Sequence, residues 1–337
     1  MLRKSFELGS FAERIGNMFG RLLFLTFVLF LTGCRNSVPD SGRRDLYTIA
    51  TLKGPSSMGM IRLIDSLNNG EGHNVRVLIL NEPLQVRKMM IDGSADFAVL
   101  PATMAAIVYN KGLEYRLVAV PVWGTIYLIG SDTTVSGWKD LKGKRVHVMA
   151  RGMTPDVLFR YLLEENGLIP EKDVTLDYSF PTHIDLANAV ASGQADIGVV
   201  SEPLASLVIK NNRAVRQIFS FEQEWKKFQD IPLAETAFMA KNDVIRNNRQ
   251  LVEKIISAYE ASTEWVNQYP DSAAGLIVKY NILPDTGVAV RSIKRSNLKF
   301  VRAGDVKPQV EAYLNIFYRM NPDITGGKIP DENFIYR

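Results

Sequence analysis

Four short stretches hold most of the residues that could grip a small polar molecule. They are Lys53-Gly54-Pro55-Ser56-Ser57, Pro101-Ala102-Thr103, Arg151-Gly152-Met153-Thr154 and Glu202-Pro203. Ser56, Ser57, Thr103 and Thr154 offer hydroxyl donors, and Lys53 and Arg151 add positive charge. Three of the stretches, at Ser56-Ser57, at Thr103 and at Thr154-Pro155, open onto helical spacing. A helix start presents unpaired N–H groups and a partial positive charge, which suits a sulfonate, carboxylate or phosphate. The same hydroxyls can instead do no more than cap their own helices; for Ser57 and Thr154 both readings stand. Glu202 is acidic in a set otherwise arranged for anions. It reads an amine or N–H donor, pairs with Arg151 or faces solvent. Glu235, followed by Thr236, is a second acidic candidate. Trp123 either stacks on a flat ligand or fills space between elements.

Other chemistries find little support. His73, His147 and His183 are scattered, and there is no HExxH, CxxC or Walker loop. Gly152-Met153-Thr154-Pro155-Asp156 lacks the serine between paired glycines of a nucleophile elbow. No catalytic residue, metal site or cofactor is assigned. The 40 Lys and Arg against 36 Asp and Glu leave a formal charge of +4, with no dense basic patch carrying aromatics, so nucleic acid is not an expected partner.

The elements that must position these stretches repeat. "DGSADFAVLPATMAA" begins at Asp92 and "SGQADIGVVSEPLAS" at Ser192, so Asp96 and Asp196 stand one hundred positions apart. Each follows a strand-like stretch, NVRVLIL or DVTLDYS, and a helical one. In the first helix Leu84, Val86, Met89 and Met90 lie near one face, and Gly93 closes it; in the second Thr182 caps and Gly193 closes. Upstream, YTIATL and RVHVMA give strands that end at the Lys53 and Arg151 loops. Each half therefore reads β-loop-α-β-α-β-loop-α, an α/β pattern with parallel pairing. Ligands of open α/β sheets sit beyond the carboxyl ends of strands. The loops at 53–57, 101–103, 151–155 and 201–203 all follow strand ends, so two facing halves would line one cleft. The paired aspartates precede their strands, which assigns them to the turn after each helix rather than to ligand.

The N-terminus is different in kind. Arg21 is followed by the apolar run LLFLTFVLFLTGC, which ends at Cys34, the single cysteine. A basic start, an apolar run of about a dozen residues and small residues at its end read as a secretory signal. The alternative is an uncleaved anchor with a stray buried cysteine. Residues 35–45 are polar and turn-rich, as a tether would be. A start at Met18 would give a more compact signal.

Leu31-Thr32-Gly33-Cys34 resembles a bacterial lipobox, which implies lipid on Cys34 and loss of residues 1–33. Together with "KDLKGKRVHV", "ASGQADIGVVSEP" and "DGSADFAVLP", the chain resembles periplasmic solute-binding proteins of ABC importers, in the group that binds nitrate, sulfonates, taurine or thiamine pyrimidine precursors. The resemblance spans about residues 46–265. It implies a type II-like two-domain clamshell with two hinge crossings, a monomer that captures a small anionic or polar solute and delivers it to a permease and ATPase. The domains would be 46–125 and 126–234, with 235–337 returning to the first and adding helices. A clamshell that signals to a membrane sensor, or an enzyme of the pyrimidine-synthase or menaquinone-pathway type, shares the fold; the signal sequence argues against the cytosolic enzymes.

Overall fold

The computed structural model describes residues 46–70 and 74–337. The signal, Cys34 and the tether lie outside the described residues, as does His73. Eleven strands form two sheets among those residues. They are β1 (Tyr47–Leu52), β2 (Val75–Leu80), β3 (Phe97–Pro101), β4 (Tyr115–Val122), β5 (Ile126–Gly130), β6 (Arg145–His147), β7 (Thr175–Asp177), β8 (Ile197–Ser201), β9 (Arg216–Ser220), β10 (Thr236–Lys241) and β11 (Leu298–Arg302).

The first sheet runs β2-β1-β3-β10-β4-β11 and the second β7-β6-β8-β5-β9. The repeat read from sequence is thus a repeat of topology. In each sheet the first three strands are parallel, joined by helices that cover the faces. The fourth place is taken by an antiparallel strand arriving from the other lobe: β5 enters the second sheet beside β8, and β10 enters the first beside β3. Both expected hinge crossings are therefore strands locked into the sheet they enter. The outgoing one breaks at Trp123-Gly124-Thr125. Gly124 has φ 103°, and a Cβ there would meet the Glu222 side chain at 2.9 Å, so the crossing requires glycine.

The expected strand–helix order holds with small changes. Leu84 is not a core residue; Val86 and Met90 carry the buried face while Leu84 is 61% exposed. Strand β11 is an addition to the expected pattern. Its five residues at a sheet edge follow directly on a helix, too short a stretch for alternation to stand out.

One core packs the helix Arg249–Gln268 against the first sheet, where Tyr259 meets Phe238 edge-on at 5.4 Å. A second core runs through both lobes. In it Trp225 of the second lobe packs against Tyr313 and Phe317 of the helix Lys307–Met320. The C-terminal helices thus do more than pad the first lobe.

The repeated aspartates are not equivalent. Asp96 is buried and accepts from the Thr48 N–H at 2.9 Å, a bond that ties β3 to β1. Asp196 is exposed at the matching place.

Candidate functional site

The carboxyl ends of β1, β3 and β8 and the first turn of the helix His183–Ser192 converge on a cavity of about 340 Å³. A second chamber of about 210 Å³ adjoins it and shares Pro83, Pro101, His183, Ser201 and Glu235. Lys53, Gly54, Pro55, Ser56, Glu202 and Pro203 line the larger chamber, and Thr103, Met153 and Thr154 the smaller.

Glu235 is the fixed point of the site. Its carboxylate accepts from the Thr125 N–H at 2.6 Å and from the Thr125 hydroxyl at 2.5 Å. Its backbone carbonyl accepts from the Ala102 N–H, and the Thr125 carbonyl accepts from the Glu202 N–H, both at 2.9 Å. One carboxylate therefore clasps the two hinge crossings where the loops of both lobes meet. Burial raises its pKa above the usual carboxylate range, against the pull of the two Thr125 bonds.

His183 faces both chambers. Its Nδ1 lies 3.1 Å from the Ser201 hydroxyl, and burial pushes its imidazole down to about 4, so the ring is neutral near pH 7. Glu202 has a fully buried side chain. Its Oε1 is bonded by the Ser206 hydroxyl at 3.0 Å and by Arg295 Nε, whereas Oε2 has no partner.

The lobes touch around the cavity. Thr103 and Thr154, one from each lobe, share a buried hydroxyl–hydroxyl bond of 2.8 Å. Arg295, which ends the helix Thr286–Arg295, reaches across to Glu202, to Gln217 at 2.8 Å and onto the Tyr127 ring at 4.3 Å. Lys210 and Asp285 form an exposed ion pair between the lobes. At the mouth, the helices Pro83–Ile91 and His183–Ser192 begin on opposite lobes and present Leu84 and Ile184 to solvent.

Several expected residues stand elsewhere. Arg151 does not line either chamber; its guanidinium bonds Glu171 at 3.0 Å and covers the Tyr178 ring at 4.7 Å, with the side chain 68% exposed. The Arg151–Glu202 pairing is therefore replaced by Arg295–Glu202. The Gly152 N–H is taken by Asp156 at 2.7 Å. Ser57 is spent on its own turn, exchanging bonds with Gly54. Ala102 is buried behind the lining. Trp123 fills the hinge, its indole N–H donating to the Lys299 carbonyl at 2.6 Å.

Residues 69–273 match the family described as NMT1/THI5 like. The chain belongs to that family. This NMT1/THI5-like chain superposes on an ABC transporter protein from Parabacteroides distasonis with a TM-score of 0.75 and 26% identity, over 87% of this chain and 99% of that one. It shares the fold of the aliphatic sulphonate binding protein SsuA of Escherichia coli, at TM-score 0.68 and 17% identity, over 88% and 93% of the two chains. The nitrate-binding protein NrtA of Synechocystis PCC 6803 has the same fold, at TM-score 0.60 and 16% identity, over 83% and 84%. The binding protein YtlA of Bacillus subtilis is 29% identical over 146 residues, 43% of this chain and 42% of YtlA. The chain thus spans about two fifths of that relative.

Within this NMT1/THI5-like chain, sequence reasoning missed His183 and Thr125, and reached Ser201 only as the start of the 201–203 loop, without a role. A signal for His183 and Ser201 existed: His183 opens the helix of the repeated unit and Ser201 ends its strand, the positions matching Pro83 and Pro101. Arg295 carried no such signal, because it lies in a helix outside the repeat.

Proposed function

We propose that the chain is the extracytoplasmic solute-binding component of an ABC importer, holding a small polar solute between its lobes. The observation that carries this is a cavity walled by both lobes at the carboxyl ends of two like sheets, with the lobes in contact around it. A ligand stabilises closure only by touching both walls; Glu235 and Thr103 on one side and His183, Ser201 and Glu202 on the other supply those contacts. The lobes comprise residues 46–125 with 235–337, and residues 126–234. Solute passes to a permease driven by an ATPase. Lipid on Cys34 holds the protein at the outer face of a membrane, and residues 1–33 are removed. The relatives named as binding proteins support this reading, and no catalytic set among the described residues competes with it.

The test is to denature the purified full chain, identify the small molecule released, and follow its uptake by cells with and without the chain. Uptake should fall when the chain is absent and stay low when Cys34→Ser releases it from the membrane. Uptake that does not depend on the chain would refute the proposal.

A further inference from the structure

We propose that the cavity selects a ligand that presents N–H donors on a largely apolar body, an amine, amide or N–H heterocycle, and discriminates against oxyanions. This rests on the solute-binding reading above and names its ligand class.

The lining is the first observation. No arginine lines either chamber, and Lys53 is the only lysine. Three carboxylates do: Glu202 and Glu235 at the centre and Glu82 at the rim of the smaller chamber. Around them stand apolar side chains, among them Leu52, Met104, Ile126, Met149 and Leu283. An anion enclosed here would approach the Glu235 carboxylate in a low-dielectric setting with one exposed lysine beside it, while the Arg295 charge is already taken up by Glu202.

The second observation is a missing donor. Glu202 Oε2 is buried and unpartnered, while its other oxygen is held by Ser206 and by Arg295, whose own Nη2 is likewise buried without a partner. A buried carboxylate oxygen left without a donor is costly, and a ligand N–H would complete it where the Arg295 Nη2 does not. The Glu235 oxygens each accept a single bond and keep acceptor capacity. His183 bonds Ser201 through Nδ1, and its Nε2, an acceptor when Nδ1 carries the proton, has no partner among the described residues.

Of the three helix starts that argue for an anion in the sequence, the one at Thr154 is answered by the protein itself, as are two others at the cavity, whereas those at Pro55 and Ala102 carry no acidic residue in their first turn. Asp156 sits in the first turn of the helix Thr154–Glu165 and takes the Gly152 N–H. Asp185 occupies the first turn of His183–Ser192, and Glu82 is the N-cap of Pro83–Ile91. Internal carboxylates already complement these dipoles.

The experiment uses the full chain in detergent, freed of bound small molecules by denaturation and refolding, and measures calorimetric affinities for two panels, in which benzamidine and benzenesulfonate are the size-matched pair. One holds benzamidine, 4-aminopyrimidine and adenine; the other holds benzenesulfonate, ethanesulfonate and nitrate. We expect the best donor probe to bind at least tenfold tighter than the best anion. Glu202→Gln and Glu235→Gln should each weaken it at least tenfold, with circular dichroism confirming that both variants fold. A preference for anions, or donor binding unmoved by both variants, overturns the ligand class and leaves the importer reading intact. Failure of every probe, with no small molecule released from the purified protein, overturns both.

Discussion

At the scale of single residues, the site is built from groups whose ordinary chemistry has been shifted by enclosure. His183 shows this most directly. Its folded pKa lies near 4, below the ordinary value of 6.5, because burial disfavours the imidazolium. The unfolded chain therefore binds more protons than the folded one between those values. The stability this contributes is fully present above pH 6.5 and is lost as pH falls toward 4. The midpoint of thermal unfolding should decline across that window, and His183→Gln should flatten the decline. His147 is also held below its ordinary value by burial, so a residual slope should remain. An unchanged slope in the variant would mean that His183 is not enclosed in solution.

At the scale of elements, the helix Thr286–Arg295 stands out because it belongs to the C-terminal region yet fastens the second lobe. Its last residue pairs with a fully buried Glu202 carboxylate. Removing one partner of a buried pair leaves the other charge unanswered, which matters more than the pair's own net worth. Arg295→Ala should cost about 3 kcal/mol in urea unfolding, the low end of the range because Arg295 reaches solvent. Lys210→Ala, which breaks the exposed Lys210–Asp285 pair between the same lobes, should cost less than about 1 kcal/mol. Equal costs for the two would show that the buried pair has no special role.

At the scale of the whole molecule, two carboxylates oppose each other between the lobes, at the starts of the helices Pro83–Ile91 and His183–Ser192. Glu82 on one lobe is held above the usual carboxylate range, first by burial and then by Asp185 on the other. A carboxyl with a raised pKa disfavours the closed arrangement where it is ionised, above its pKa, and ceases to do so as pH falls through it. Glu82→Gln should therefore increase the closed fraction at pH 7 and make it less sensitive to acid. Small-angle scattering should record a smaller radius of gyration for the variant than for the parent at pH 7. The same radius for both at pH 7 and at pH 4 would show that the mouth carboxylates do not bear on closure.

Much of this architecture was legible without coordinates because it is local. The repeat at Asp96 and Asp196, the Thr182 cap, the Gly193 stop and the strand ends at Lys53 and Pro101 all follow from spacing within one or two turns. Hydrophobic periodicity and turn chemistry act over such distances, so they predicted most of the strands and helices and the two-sheet α/β plan. What they could not place was direction. Arg151 sits in a cleft loop by sequence, yet its guanidinium turns to Glu171 and Tyr178, partners some twenty positions downstream. Glu202 finds Arg295 across 93 positions, and Glu235 finds Thr125 across 110. A side chain's partner is chosen by packing between distant segments. Loop order along the chain therefore determined which loops follow the strand ends around the cavity, while only the tertiary structure decided which charges face it.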